Sequence, residues 1–154
     1  MPTPEQVKQA LEPMCAVIAD LALADAAAAE ATLNQHFPHS SLGVVENLLK
    51  AAQAEGWLTP KRASPDLTFG RLAKASAETY GLSIDIVDMT STGAEHVHPN
   101  GEVSLCFVVG GEPTFCGRPA GWVVVPPGSQ HVPTVAGGHM LIAYFLPSGA
   151  MTWI

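Results

Sequence analysis

The chain is poor in cations, in aromatic residues and in cysteine, and each shortage removes a class of function. Seven Lys and Arg stand against fourteen Asp and Glu, a formal net charge of −7, and the only adjacent basic pair is Lys61-Arg62. Phosphate backbones and anionic lipid surfaces attract clustered cations, so neither nucleic acid nor a membrane is an expected partner. Cys15, Cys106 and Cys116 are odd in number and form no C-x-x-C pair, which argues against a disulfide framework or a cysteine zinc site and for ordinary reduced thiols. No apolar run approaches the roughly twenty residues of a membrane span. Residues 1–5 show neither a basic nor an apolar leader pattern, so the expected location is the cytoplasm.

What is present is 47% apolar residues with 14 Gly and 13 Pro, the mark of a globular chain with many turns. A length of 154 residues fits one domain with an appendage. Val7, Leu11, Met14, Ile18 and Leu21 recur at steps of three and four and predict a helix with one apolar face. Thr3-Pro4-Glu5-Gln6 supplies its start: a capping hydroxyl, a proline at the first helical position and a glutamine placed for a capping box. The Ala-rich tract 24–31 is expected to continue that helix and to permit close approach of another helix, from this chain or a second copy. A second helix is predicted over 41–55, with Leu42, Val45, Leu49 and Ala52 on one face, Gly56 past its end and Pro60 beyond. Two helices before β structure raise the thought of a winged helix, which the missing basic surface disfavours.

From residue 67 the period changes to short runs rich in Val, Ile, Leu, Phe and Tyr. Strands are predicted at 67–72, 79–89, 103–109, 122–125, 132–135 and 140–146. Turns are expected at Pro99-Asn100-Gly101, Gly110-Gly111, Pro126-Pro127-Gly128 and Gly137-Gly138. Many short strands at this spacing predict a sandwich or barrel. The expected division is a helical region, 1–62, and a mainly β barrel domain, 63–154.

His96-Val97-His98 places two imidazoles two residues apart, and on a strand both can face one point. Glu102 follows across a turn, and Pro126-Pro127-Gly128-Ser129-Gln130-His131 brings a third imidazole later. Three imidazoles and a carboxylate suit iron, manganese, zinc, nickel or copper(II). The order H-x-H-x3-E followed by P-x-G-x-x-H resembles the two motifs of the cupin superfamily, over about residues 67–146. That resemblance implies a single jelly-roll barrel, also called a double-stranded β-helix, with one divalent metal ion held by His96, His98, Glu102 and His131. Departures fall at turn positions: Thr90 and Val109 replace first-motif glycines, with Gly93 and Gly110 nearby. Ala120 replaces a second-motif glycine beside Gly121, and Val135 replaces a common asparagine. His36, His39 and His139 have no partner at ligand spacing and read as surface or helix-end residues, and Cys106 shares strand parity with Glu102 and reads as a packed thiol.

Cupins carry many functions, so the site must decide among them. The helical first third, the segments Phe69-Gly-Arg-Leu72 and His96-Val-His-Pro-Asn-Gly-Glu102 and the tail Tyr144-Phe-Leu-Pro-Ser-Gly149 resemble the bacterial 4-hydroxylaminobenzoate lyase family. The resemblance implies conversion of 4-hydroxylaminobenzoate to 3,4-dihydroxybenzoate (protocatechuate) and ammonia, a redox-neutral reaction of nitroaromatic degradation, with Glu102 as a proton shuttle. An anionic benzoate needs a local cation, and among Arg62, Arg71 and Arg118 the expected one is Arg71, because a barrel strand must turn one face inward. Phe69, Phe107, Trp122, Tyr144 and Phe145 are candidate walls for an aromatic ligand. The first helix is expected to mediate a homodimer. Two other readings stay open: an iron-dependent dioxygenase acting on a small aromatic or thiol substrate, and a non-enzymatic small-ligand-binding cupin.

Overall fold

Thr3 starts the first helix as its sequence predicts. In the computed structural model, which describes residues 2–153, helix α1 spans Pro4–Ala19. The Thr3 hydroxyl accepts from the Gln6 amide at 3.2 Å, and the Thr3 amide donates to the Gln6 side chain at 2.9 Å. Val7, Leu11, Met14, Cys15 and Ile18 form its buried stripe. The helix does not continue through the Ala-rich tract. It stops at Ala19, Leu23 turns into the core, and Asp25 caps a separate helix α2, Ala26–His36, by accepting from the Ala28 amide at 3.2 Å. An aspartate competes well for free amide donors, so it starts a helix better than it sits inside one. The close approach that small residues permit is made to the barrel: α2 lies on the strand at 121–125, with Ala29 and Leu33 buried. Helix α3, Gly43–Glu55, ends at Gly56, whose φ of +87° is the left-handed conformation that lets a glycine close a helix. No helix among the described residues is long and apolar enough to cross a membrane.

Nine strands follow among the described residues: β1 (Lys61–Ser64), β2 (Leu67–Ala73), β3 (Leu82–Met89), β4 (His96–His98), β5 (Glu102–Phe115), β6 (Gly121–Val125), β7 (Ser129–His131), β8 (Val135–Pro147) and β9 (Thr152–Trp153). They form a six-stranded sheet, β1-β2-β3-β8-β5-β6, and a three-stranded sheet, β7-β4-β9, in an open jelly roll. The fold is mainly β with a helical N-terminal segment, as expected. Three local expectations fail. Residues 132–135 do not form a strand of their own, because the pairing is made earlier, by Ser129–His131. Residues 79–81 form a turn before β3. The pairs Gly110-Gly111 and Gly137-Gly138 are not turns but face each other within the long β5–β8 ladder, Gly111 opposite Gly138. A Cβ on Gly138 would run into the Gly110 carbonyl oxygen, so these glycines permit a close approach of two irregular strands.

The large sheet has two differently dressed faces. Outward, Ile84 and Ile86 of β3, Val103, Leu105 and Phe107 of β5 and Leu141 and Phe145 of β8 pack with Leu11, Ile18, Leu33 and Leu49 of the helices. Inward lie Met89, Cys106, Phe115, Val123, Met140, Ile142 and Tyr144. The outer cluster joins helical and barrel residues in one core, and β1 lies across the boundary between 1–62 and 63–154. Met1 and Ile154, the ends of those two spans, lie outside the described residues.

Candidate metal centre

Alternation along β5 sends Val103, Leu105 and Phe107 to the helices and leaves Glu102, Ser104 and Cys106 on the barrel side. The small sheet brings its imidazoles to the same place. His96 and His98 share one face of β4, and β7 pairs with β4 so that His131 stands opposite His96. Both flanking turns are tied to one atom: the His98 carbonyl accepts from the Gly101 amide at 3.1 Å and from the Gly128 amide at 2.8 Å. Positive φ at both glycines, +86° and +79°, makes those turns possible.

The outcome is a tight cluster of lone pairs. The Nε2 atoms of His96 and His98 are 2.7 Å apart, and each lies 3.1 Å from Nε2 of His131. Glu102 Oε2 is 2.9 Å from His98 Nε2 and 3.6 Å from His131 Nε2. All four donor atoms lie within 4.8 Å of one another. His96 Nδ1 donates to the Ala94 carbonyl at 2.9 Å, which leaves its Nε2 as a bare acceptor. Neither oxygen of Glu102 has a hydrogen-bond partner among the described residues, although the side chain is wholly buried. A buried carboxylate and imidazole lone pairs crowded together repel one another unless a cation sits among them. Ligands about 2.1 Å from one ion stand roughly 3.0–3.4 Å apart when they subtend right to tetrahedral angles. The donor set and its spacing therefore fit a divalent metal ion. Burial pushes the His96 and His131 imidazoles below their usual pKa, which keeps them in the neutral form that ligates.

His96 and Glu102 also line a cavity of about 530 Å³ whose walls include Leu67, Phe69, Val87, Met89, Tyr144 and Leu146. Arg71 lines it too. Its side chain is about half exposed, and Nε and Nη2 donate to the two oxygens of Asp85 at 2.8 and 3.1 Å. Lys61, singled out in the sequence only as half of the one adjacent basic pair, lies at the same cavity. The pairing of β1 with β2, which sets Lys61 opposite Phe69, is what brings it there. The remaining candidates lie elsewhere. Arg62 donates to the carbonyls of Ser64 and Pro65, and Arg118 pairs with Glu30. Phe107, Trp122 and Phe145 belong to the outer core, so of the five aromatics only Phe69 and Tyr144 reach the cavity. His36 and His39 are exposed, whereas His139 donates to Asp88 at 2.6 Å. Cys106 is fully buried, and burial raises its thiol pKa, which makes it an inert packed thiol.

An open jelly roll with H-x-H, Glu and a later His converging inside it defines a single-barrel cupin. The model of the family described as PnbB, 4-hydroxylaminobenzoate lyase, matches residues 9–153. This chain belongs to that family. A 4-hydroxylaminobenzoate lyase of Pseudomonas putida is 32% identical over 126 residues, 71% of this chain and 72% of the relative. Its counterpart from Nocardioides sp. (strain LMS-CY) is 30% identical over 120 residues, 71% of this chain and 70% of the relative. Among solved structures, a cupin-like protein from Thermotoga maritima is similar with 16% identity and a TM-score of 0.44, covering 62% of this chain and 84% of that one.

Proposed function

We propose that this protein is a metal-dependent 4-hydroxylaminobenzoate lyase that converts its substrate and water to protocatechuate and ammonia. The observation that carries the reading, beside family membership, is the cavity's polarity. Cations Lys61 and Arg71 stand on the edge strand β1 and on β2 beside it, the apolar walls follow, and His96 and Glu102 stand at the candidate metal centre. That sequence of surfaces matches a flat ring with a carboxylate at one end and a polar nitrogen group opposite. His96, His98, Glu102 and His131 would hold one ion of iron, manganese, zinc or nickel. Bound there, a divalent ion supplies Lewis acidity toward an N-hydroxyl group or a water molecule. Arg71 aims the substrate through the edge of its guanidinium not used by Asp85, and Glu102 shuttles a proton.

The same reading makes this a nitroaromatic-degradation enzyme of the cytoplasm, with the helical part, residues 1–62, contributing a homodimer surface to the barrel of 63–154. The deciding experiment is anaerobic turnover of 4-hydroxylaminobenzoate by metal-loaded protein. Protocatechuate and ammonia should form in equal amounts without oxygen or a nicotinamide cofactor, since substrate and product differ only by water and ammonia. An absolute oxygen requirement would transfer the protein to the dioxygenases.

A further inference from the structure

Tyr144 occupies a place that packing alone does not explain. On β8 it stands opposite Asp85 of β3 on one side and Ser104 of β5 on the other, so a single cross-strand file, Arg71–Asp85–Tyr144–Ser104, crosses the inner face of the sheet. Its side chain is 94% buried yet lines the cavity together with Glu102 and His96. The ring is held edge-on against Phe115, centroids 6.1 Å apart at 69°. Its hydroxyl makes no hydrogen bond among the described residues and is not one of the sealed polar atoms of the interior, so it remains accessible where Tyr144 lines the cavity. A donor on a packed ring, unpartnered among the described residues and at the wall of a cavity, is available to a ligand there.

Resting on the lyase reading above, we propose that the Tyr144 hydroxyl is a catalytic residue that hydrogen-bonds the N-hydroxyl oxygen of the substrate and protonates it as the N–O bond breaks. The N–O electron pair leaves on oxygen, which takes the phenolic proton and departs as water. The ring is left two electrons poorer and attracts a water molecule at the carbon ortho to nitrogen. The proton shed by that water restores the phenol. A second water hydrolyses the resulting imine, ammonia leaves, and the ring regains aromaticity as the catechol. One water is released and two are consumed, which is the overall stoichiometry, and no outside oxidant or reductant takes part. Burial holds the phenol pKa well above its usual value, so Tyr144 enters the cycle protonated, as a donor.

Tyr144→Phe keeps the ring against Phe115 and removes only the hydroxyl. Metal content, read by elemental analysis, should match that of the wild type. kcat should fall by about 10²-fold or more, the scale of a lost proton donor, with KM changed far less. Binding gives a readout independent of turnover: 4-nitrobenzoate, whose nitro oxygens accept at the same position, should bind the variant about fivefold more weakly, while benzoate binds both proteins alike. Equal kcat and equal 4-nitrobenzoate binding in variant and wild type overturn the assignment of Tyr144 and leave the lyase reading in place. The reverse pattern, hydroxyl-dependent binding of 4-nitrobenzoate by a wild-type protein that makes no protocatechuate, sinks the lyase reading and the proton step, and keeps Tyr144 only as the ligand's hydrogen-bond donor.

Discussion

The two faces of the large sheet are made from the same strands by simple alternation, and both are buried, yet they are built for opposite ends. The outer face is mainly apolar and is covered by α1, α2 and α3, with its few polar groups paired, as where the Gln53 side chain donates to Asp88. The inner face interrupts its apolar residues with Glu102, Ser104, Tyr144, Asp85 and Arg71, and leaves the Ser104 hydroxyl and both Glu102 oxygens without hydrogen-bond partners among the described residues. A face that tolerates orphaned polar groups gives up stability that the other face must supply. The helical segment is thus what permits the barrel interior to be chemical.

The largest effect should come from the inner face at the metal centre. Replacing both His96 and His98 by Ala removes two of four donors and should abolish stoichiometric metal and all detectable turnover. The variant should still fold, because the outer core is untouched; full metal content in it would refute the ligand assignment. The outer face should give the converse. Phe107→Ala opens a cavity in a fully buried position and should lower stability by about 3–5 kcal/mol in denaturant melts, while the surviving folded protein binds metal with wild-type stoichiometry. A smaller effect is expected at the mouth of the cavity. Arg71→Leu should keep metal content and lower kcat/KM for the benzoate about tenfold, a modest figure because the guanidinium is half exposed and already shared with Asp85. A neutral analogue lacking the carboxylate should hardly notice the change.

The smallest effect concerns pH. The folded protein holds His96 and His131 below the ordinary imidazole pKa of 6.5, so the unfolded chain takes up protons more readily. Their contribution to stability is full above about pH 6.5 and is lost as pH falls below it. The melting temperature of metal-free protein should therefore drop between pH 7.5 and 5.5. His131→Asn should flatten that profile, whereas Phe107→Ala should shift it downward without changing its shape.

Much of this was legible in the sequence because it depends on local chemistry. Thr3, Pro4 and Gln6 start a helix wherever a helix follows, and Gly56 ends one. The H-x-H-x3-E and P-x-G-x-x-H spacings place side chains on faces that any strand geometry preserves, so the four residues that cluster in the structure were nameable before their distances were known. The glycine pairs at 110–111 and 137–138 were misread because a glycine required for close approach carries the same letter as one required for a turn. The Ala-rich tract was misread because helix propensity is indifferent to where a helix must break, and the break at Asp20 to Asp25 is what turns Leu23 into the core.

By itself, then, the sequence determined the helix starts, the barrel and the four candidate donors, all of which follow from periods and spacings of a few residues. Only the tertiary structure decided which aromatics face the cavity, that Lys61 joins Arg71 there, that Arg71 is shared with Asp85, and that the Tyr144 hydroxyl is left without a partner. Those facts are set by the registers between β1, β2, β3, β8 and β5, and register is a relation between segments distant in the chain, which no local pattern encodes.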